Sequence, residues 1–339
     1  MDERYSKQMN FKGIGKEGQR LLANGRALIV GCGALGTVVA NSLVRTGVGF
    51  IRLVDRDFVE KSNLHRQILF DEEDAEKSAP KAEVAKNKLQ TVNSLVNIEA
   101  VVKDVNSITI DKFTSDIDII IDCTDNFKTR YLINDLSFSK GIPWIYGGAV
   151  GSTGVVKSFI PGEGGCLRCM MDTPPPTGSF DTCDTAGVIN TVTGIVGMLQ
   201  SNEAIKFLTG NKEDMESEMI FLDLWDNVYE KVQLPKLETC SCCGKKDFQY
   251  LQDKKPEASF MCGNKSVQVD PHGSRGNISL EALSLRLSQA GIKTRLTPFI
   301  LNIWVDNYEI KLFDDGRAII KNVDTIDEAK GIYSRYIGY

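Results

Sequence analysis

The chain has 339 residues, 42% of them hydrophobic and 25% charged, with a formal net charge of −5. This is the composition of an ordinary globular protein with room for one large domain, or a large one and a small one. The acidic balance argues against nonspecific binding to nucleic acid or anionic membrane as the main business. No apolar run approaches the roughly 20 residues of a membrane span, and the polar residues 1–6 lack a secretory core, so a cytoplasmic location is expected. In that reducing compartment nine cysteines point to metal binding or thiol chemistry rather than a disulfide framework.

The first two-fifths alternates short β-rich runs with helical patterns. Strands are expected at 26–30, 50–55, 98–102, 117–122 and 143–146, and helices at 34–46, 80–93 and 129–140. Strand–helix alternation at this spacing predicts an α/β fold with a mostly parallel, helix-covered sheet. A proline-rich turn at 174–178 leads into a long helical pattern from about 186 to 208. The segment 252–258, rich in Lys, Asp and Pro, reads as a linker. Beyond it, a strand at 266–270, a helix at 280–289, strands at 299–305, 308–313 and 318–320, and a helix at 325–336 suggest a small α+β domain. Asp306-Asn307 and 314–316 are candidate hairpin turns. The expected division is therefore 1–250 and 259–339.

Gly31-Cys32-Gly33-Ala34-Leu35-Gly36 follows the first strand and opens the first helix. In that context G-x-G-x-x-G has a physical meaning: its glycines let the backbone approach phosphates at a helix N-terminus that favours anions. Asp55, nineteen residues past Gly36, stands at a strand end where it can bind ribose hydroxyls. A Rossmann-like nucleotide site follows. Two histidines, His65 and His272, give little support for hydride-transfer chemistry, which needs a proton donor. Cations suited to a polyphosphate are present instead: Arg66, and Lys81 behind Pro80 at a positive helix end. They suit attack at an α-phosphate with pyrophosphate leaving. In Asp122-Cys123-Thr124-Asp125-Asn126, at the end of an apolar strand, two acids can hold Mg²⁺. For Asp125 the competing reading is helix capping, and His65 reads as structural.

Taken together, Arg4-Tyr5-x-Lys7-Gln8, Gly31–Gly36, Asp55-x-Asp57, Ser62-Asn63-Leu64-x-Arg66-Gln67, Pro80-Lys81 and the Asp122–Asn126 run resemble the ThiF/MoeB/HesA adenylyltransferases. These are bacterial relatives of the ubiquitin-activating enzymes, and the likeness runs from about Arg4 to Gly244. It implies ATP-dependent adenylation of the terminal Gly carboxylate of a small ubiquitin-like sulfur-carrier protein. Carried over, Asp55 binds the ribose, Asn63, Arg66 and Lys81 meet the phosphates, and Asp125 holds Mg²⁺. The resemblance also implies a homodimer in which a basic residue near the N-terminus reaches the neighbouring subunit's ATP, and a cysteine desulfurase or other sulfur donor as a further partner. Here that basic residue is Lys7 where the family commonly has Arg, and Lys gives no two-pronged phosphate contact.

Cys166-x-x-Cys169 and Cys240-x-x-Cys243 form two separated knuckles, the pattern of a closed tetrahedral structural zinc site. The alternative is four free structural cysteines. Cys242 is a possible substitute ligand, but Cys243 before Gly244 suits a knuckle better. Cys183, just before the long helix, is either a reactive thiol or an inert loop cysteine. The segment Thr182-Cys183-x-x-Ala186-Gly187-Val188 resembles the place where ThiF-like members carry a cysteine that can bond covalently to the carrier or join sulfur transfer, which favours a ThiS-type carrier of thiamine biosynthesis over a MoaD-type carrier of molybdopterin biosynthesis. A noncatalytic carrier-binding module and a nicotinamide oxidoreductase are the distant alternatives. Cys32, Cys123 and Cys262 read as packing residues. The last domain shows no chemical motif, and 271–277 are its only hint of a contact site.

Overall fold

A computed structural model describes residues 3–175, 186–252, 258–260, 265–270 and 278–337. The chain divides into two compact units, Met1–Ala75 with Pro80–Lys254, and Glu76–Ala79 with Lys255–Tyr339.

In the first unit α1 (Ser6–Met9) and α2 (Gly15–Asn24) precede β1 (Arg26–Val30), α3 (Ala34–Thr46) and β2 (Phe50–Val54). Next come α4 (Glu72–Glu76), α5 (Lys81–Val92), β3 (Asn97–Val101), α6 (Ile110–Thr114), β4 (Ile119–Asp122), α7 (Phe127–Lys140) and β5 (Trp144–Val150). The unit ends with β6 (Thr153–Phe159), α8 (Leu167–Met170), α9 (Asn190–Leu208), β7 (Met219–Asp223), β8 (Val228–Val232) and α10 (Gln249–Gln252). Eight strands form one sheet in the order β3-β2-β1-β4-β5-β6-β7-β8. From β3 to β5 every pairing is parallel; from β5 to β8 every pairing is antiparallel.

The central strands are apolar on both faces because both are covered. Leu28, Val30, Ile120, Trp144 and Tyr146 pack with Ile110 and Phe113 of α6 and with Tyr131, Leu132 and Leu136 of α7. The opposite face meets α3, α5 and α9. The strand order reverses between β1 and β4, so their carboxyl ends open side by side at a switch point, where sheets of this kind bind ligands.

The second unit is a six-stranded antiparallel sheet, order β11-β12-β13-β14-β10-β9, formed by β9 (Ala258–Phe260), β10 (Ser266–Val269), β11 (Lys293–Leu296), β12 (Ile300–Val305), β13 (Tyr308–Phe313) and β14 (Ala318–Lys321). Leu301, Ile303, Ile310, Leu312 and Ile320 pack with Leu283 and Leu287 of α11 (Leu280–Gln289) and Ala329 and Tyr333 of α12 (Ile326–Tyr336). Both helices start on side-chain caps: Ser279 Oγ accepts from Ala282 N at 3.2 Å, and Thr325 Oγ1 accepts from Glu328 N at 3.1 Å. Asp306-Asn307 is the expected two-residue hairpin turn, with Asp306 at φ 50°.

The strand and helix positions expected through residue 146 hold to within a few residues. The antiparallel extension β6–β8 and the edge strand β11 were not expected. In β8 the burial pattern is exposed on both faces after Val228, so it carries no alternation to read. The segment read as a linker begins at the end of α10, and its residues 253–257, like 271–277, lie outside the described residues.

Candidate functional site

The glycine loop leaves β1 at the switch point. Gly31 sits at φ +94°, and a Cβ there would lie 2.7 Å from the Cys123 carbonyl oxygen; a Cβ at Gly36 would run into the Gly31 carbonyl oxygen. Only glycine allows so tight a turn between strand and helix. Gly33 is different: an added Cβ would find only Gln67 Nε2, at 3.9 Å. The loop is closed against the protein at Gly31 and Gly36 and leaves room at Gly33, the N-cap of α3, and a helix N-terminus favours an anion.

Asp55 follows β2 and is locked by backbone donors. Its Oδ2 accepts from Cys32 N at 2.5 Å and its Oδ1 from Asp57 N at 2.7 Å. Burial, then the neighbouring Asp57, push its pKa up, while Lys81 and the two amides pull the other way. Lys81 is the first residue of α5, with Pro80 as its cap. A cation there opposes the helix dipole, so the position needs a counter-charge. Asp57 provides it: Lys81 N donates to Asp57 O at 3.0 Å, and Lys81 Nζ lies 3.3 Å from Asp57 Oδ2. Burial depresses the Lys81 pKa, but the Asp57 and Asp55 carboxylates outweigh it and push it up to about 12.

The second wall is the loop after β4. Asp122 is fully buried, its Oδ1 accepting from Thr124 N at 3.0 Å and Thr124 Oγ1 at 2.7 Å, and its Oδ2 lies 3.4 Å from Arg130 Nε. It is thereby committed to holding its own loop, so the expectation of two metal-holding acids is corrected to one exposed acid. Asp125 is that acid. Capping of α7 falls to Asn126, whose side chain accepts from Thr129 N at 2.9 Å, and Asp125 makes no hydrogen bond among the described residues. Its carboxylate still raises the pKa of Lys81, Arg56 and Arg130, which puts it within electrostatic reach of all three.

Asn63 lies in a short 3₁₀ turn whose carbonyl accepts from Arg66 N at 3.1 Å and Gln67 N at 3.0 Å. Gln67 is buried beside Gly33, so this turn borders the glycine loop. Arg66 is partly exposed, donates to Ser62 O at 3.0 Å, and has no carboxylate partner among the described residues. His65 is exposed.

A second cluster lies where the knuckles meet. The Sγ atoms of Cys166, Cys169, Cys240 and Cys243 all lie within 4.8 Å of one another, with Cys166–Cys240 at 3.6 Å and Cys169–Cys243 at 3.3 Å. Four thiolates about 2.3 Å from a central zinc would stand about 3.8 Å apart. The knuckle backbones fit too: Cys169 N donates to Cys166 O, and Gly244 N and Lys245 N to Cys240 O. Leu237 N donates to Cys169 Sγ at 3.4 Å. The donor set fits a structural zinc. Cys242 is buried and its sulfur accepts instead from Asn134 Nδ2 at 3.3 Å.

The sequence matches the ThiF family over residues 5–243. The chain belongs to the ThiF family. It is 41% identical over 341 residues to the sulfur carrier protein ThiS adenylyltransferase of Bacillus subtilis (strain 168), with all of both chains covered. It is 36% identical over 247 residues to the sulfur carrier protein adenylyltransferase of Thermus thermophilus, covering 71% of this chain and 90% of that one. The crystal structure of E. coli MccB with ATP matches with a TM-score of 0.63 at 25% identity, over 72% of this chain and 75% of that one. This ThiF-family chain is an adenylyltransferase.

Among its expected site residues, Gly31, Gly33, Gly36, Asp55, Lys81 and Asp125 converge on the switch point, with the Asn63–Arg66 turn at its border. Lys7 does not join them. It is exposed on α1, where Gln8 Nε2 donates to Thr46 O at 3.0 Å at the far end of α3. That is about 20 Å along the helix from the glycine loop. Cys183 lies outside the described residues. Cys32 and Cys123 are buried packing residues, their thiols pushed well up by burial.

Three contributors escaped the sequence reading. Asp57 was visible in the Asp55-x-Asp57 pattern but had no role until Lys81 was seen against it. Arg56, between those acids, pairs with Asp104 at 3.0 Å. Arg130, buried under Asp122, donates to Thr124 O at 2.8 Å and to Gly147 O at 3.1 Å. Its only sequence signal is a cation one turn into an otherwise buried helix. No helix among the described residues is long and apolar enough to cross a membrane.

Proposed function

We propose that this chain adenylates the C-terminal glycine of a ThiS-type sulfur-carrier protein at the expense of ATP. The observation that carries the carrier class is similarity to a ThiS adenylyltransferase over the whole of both chains, where the match to the Thermus thermophilus relative covers 71% of this chain.

In this reading the adenosine ribose bonds to Asp55, whose carboxylate is oriented in advance by Cys32 N and Asp57 N. The polyphosphate lies over Gly31–Gly36 and the N-terminus of α3, with Asn63, Arg66 and Lys81 as its side-chain contacts. A carboxylate oxygen of the carrier's last glycine attacks the α-phosphorus, the α–β bridging P–O bond breaks, and pyrophosphate departs with that bond's electron pair. The product is an acyl-adenylate. Lys81 and Arg66 answer the negative charge that builds on the leaving pyrophosphate. Asp125 is the residue that would hold Mg²⁺, which would supply charge neutralisation on the phosphates. Cys166, Cys169, Cys240 and Cys243 would hold zinc as a structural clip. Lys7, remote from its own crevice, serves the crevice of a second copy in a homodimer, as a point charge.

The test is ATP–pyrophosphate exchange with a purified ThiS-type carrier and, separately, a MoaD-type carrier. Exchange that depends on the ThiS-type carrier is expected. Equal or better exchange with the MoaD-type carrier would sink the specificity, and no exchange with either would sink the adenylation reading.

A further inference from the structure

Trp225 is 77% exposed, more than any other large hydrophobic residue described, and nothing in the fold requires its ring. It stands on the turn between β7 and β8, and that turn is rigid. Asp223 Oδ1 accepts from Ser152 Oγ at 2.8 Å, from Trp225 N at 2.9 Å and from Asp226 N at 3.4 Å. Leu224 N donates to Ser152 O at 3.0 Å, tying the turn to the β5–β6 hairpin. A bulky ring held out on a pinned backbone loses little freedom on docking, which is how aromatic anchors at interfaces work.

The strand register locates this turn. Tyr146 of β5 is opposite Asp122, the last residue of β4, and β5 then continues to Val150, which pairs with Thr153 of β6. Thr153 pairs with Asp223, and Asp223 with Val228. Asp223 is thus level with the hairpin tip, about 13 Å beyond the carboxyl edge at which the Asp122 loop opens. It is three strands from β4, or about 14 Å sideways. The turn stands as a raised wall along the edge that holds the nucleotide loops.

We propose that Trp225 anchors the folded body of the carrier whose tail enters the crevice. This rests on the adenylation reading and adds to it the surface that the carrier's body meets. A domain of about 70 residues has a radius of gyration of about 11 Å. With a short extended tail, such a body held above the switch point overlies β7 and meets the turn. Affinity for the carrier then divides into a tail part, read in the crevice, and a body part, read at Trp225.

The experiment measures exchange with two probes, the ThiS protein of Bacillus subtilis and a synthetic peptide of its C-terminal tail alone. Trp225→Ala keeps the backbone N–H that Asp223 binds, and its melting temperature checks that the fold is unchanged. Leu95→Ala, at the opposite edge of the sheet and 60% exposed, is the control. Trp225→Ala is expected to raise KM for whole ThiS about tenfold or more. Its kcat, its KM for ATP and its KM for the tail peptide should match wild type, as should every constant of Leu95→Ala. An unchanged KM for whole ThiS overturns the proposal, and so does an equal loss with the tail peptide. A changed sedimentation coefficient with an unchanged carrier KM also overturns it, because the ring then covers a second copy of the chain. If wild type exchanges with neither probe, the adenylation reading fails and takes this proposal with it.

Discussion

Replacing Lys81 by Met should cost stability in a way that depends on pH. The ammonium's pKa is pushed up to about 12 from 10.5, which corresponds to about 2 kcal/mol in favour of the folded, charged state. The Lys81 side chain is only 9% exposed, so solvent screening takes little from this. Removing one partner of a buried pair costs about 3–5 kcal/mol, but Asp57 is 38% exposed and keeps some hydration once Lys81 is gone. A loss of about 2–3 kcal/mol at pH 8 is therefore expected. The folded pKa lies above the unfolded one, so the stabilisation is complete below 10.5 and disappears as pH rises through about 12. Urea unfolding of wild type and variant between pH 8 and pH 12 is the assay, with equal m-values as the condition for comparing midpoints. Equal stability at pH 8, or a deficit that persists undiminished at the alkaline end, would refute the pairing.

Asp125→Ala should leave the unfolding free energy within about 0.5 kcal/mol of wild type, since the side chain is exposed and makes no hydrogen bond among the described residues. Carrier-dependent exchange should fall about 100-fold or more; unchanged exchange removes Asp125 from the mechanism. Elemental analysis of the purified chain should find about one zinc per chain. Cys240→Ser should lower that content and cost at least about 2 kcal/mol, or roughly 4–8 °C in melting temperature; full stability without metal would refute the clip. Lys7→Ala and Asp125→Ala subunits, each nearly inactive alone, should recover about a quarter of wild-type exchange when mixed and reassembled, because half the dimers then hold one complete site. No recovery from demonstrably mixed dimers would place Lys7 outside the neighbour's crevice.

What could be read beforehand depended on how local the signal was. The strand–glycine loop–helix unit is written in consecutive residues, because the turn permits only glycine at Gly31 and Gly36. Lys81 was legible through Pro80, which fixes where α5 begins. The two knuckles were legible because zinc ligation demands paired cysteines at short spacing. The antiparallel strands β6–β8 were not, since their pairing depends on β5 running on past the level of Asp122. The role of Asp122 was misjudged for a related reason. Its partner Arg130 lies a full helical turn further on, and only the folded loop makes that carboxylate part of the scaffold. Asp57 and Arg56 fall in the same class: their charges were visible, but which charge answers which is decided in three dimensions.

The charge pairing itself says what the crevice lacks. Lys81 answers Asp57 and Asp55, Arg56 answers Asp104, and Arg130 answers Asp122. Those pairs hold the walls in place. Two groups at the crevice stand outside this accounting among the described residues: Arg66, with no carboxylate partner, and Asp125, with no hydrogen bond. Arg66 suits a phosphate directly. Asp125 does not, since a bare carboxylate repels one, and its repulsion is relieved only if a divalent cation stands between them. This is the charge argument for the Mg²⁺ proposed at Asp125. Lys81 is shared between Asp57 and the phosphates of the proposed reaction, and the Lys7 proposed from a second copy would add to the charge that Lys81 and Arg66 supply.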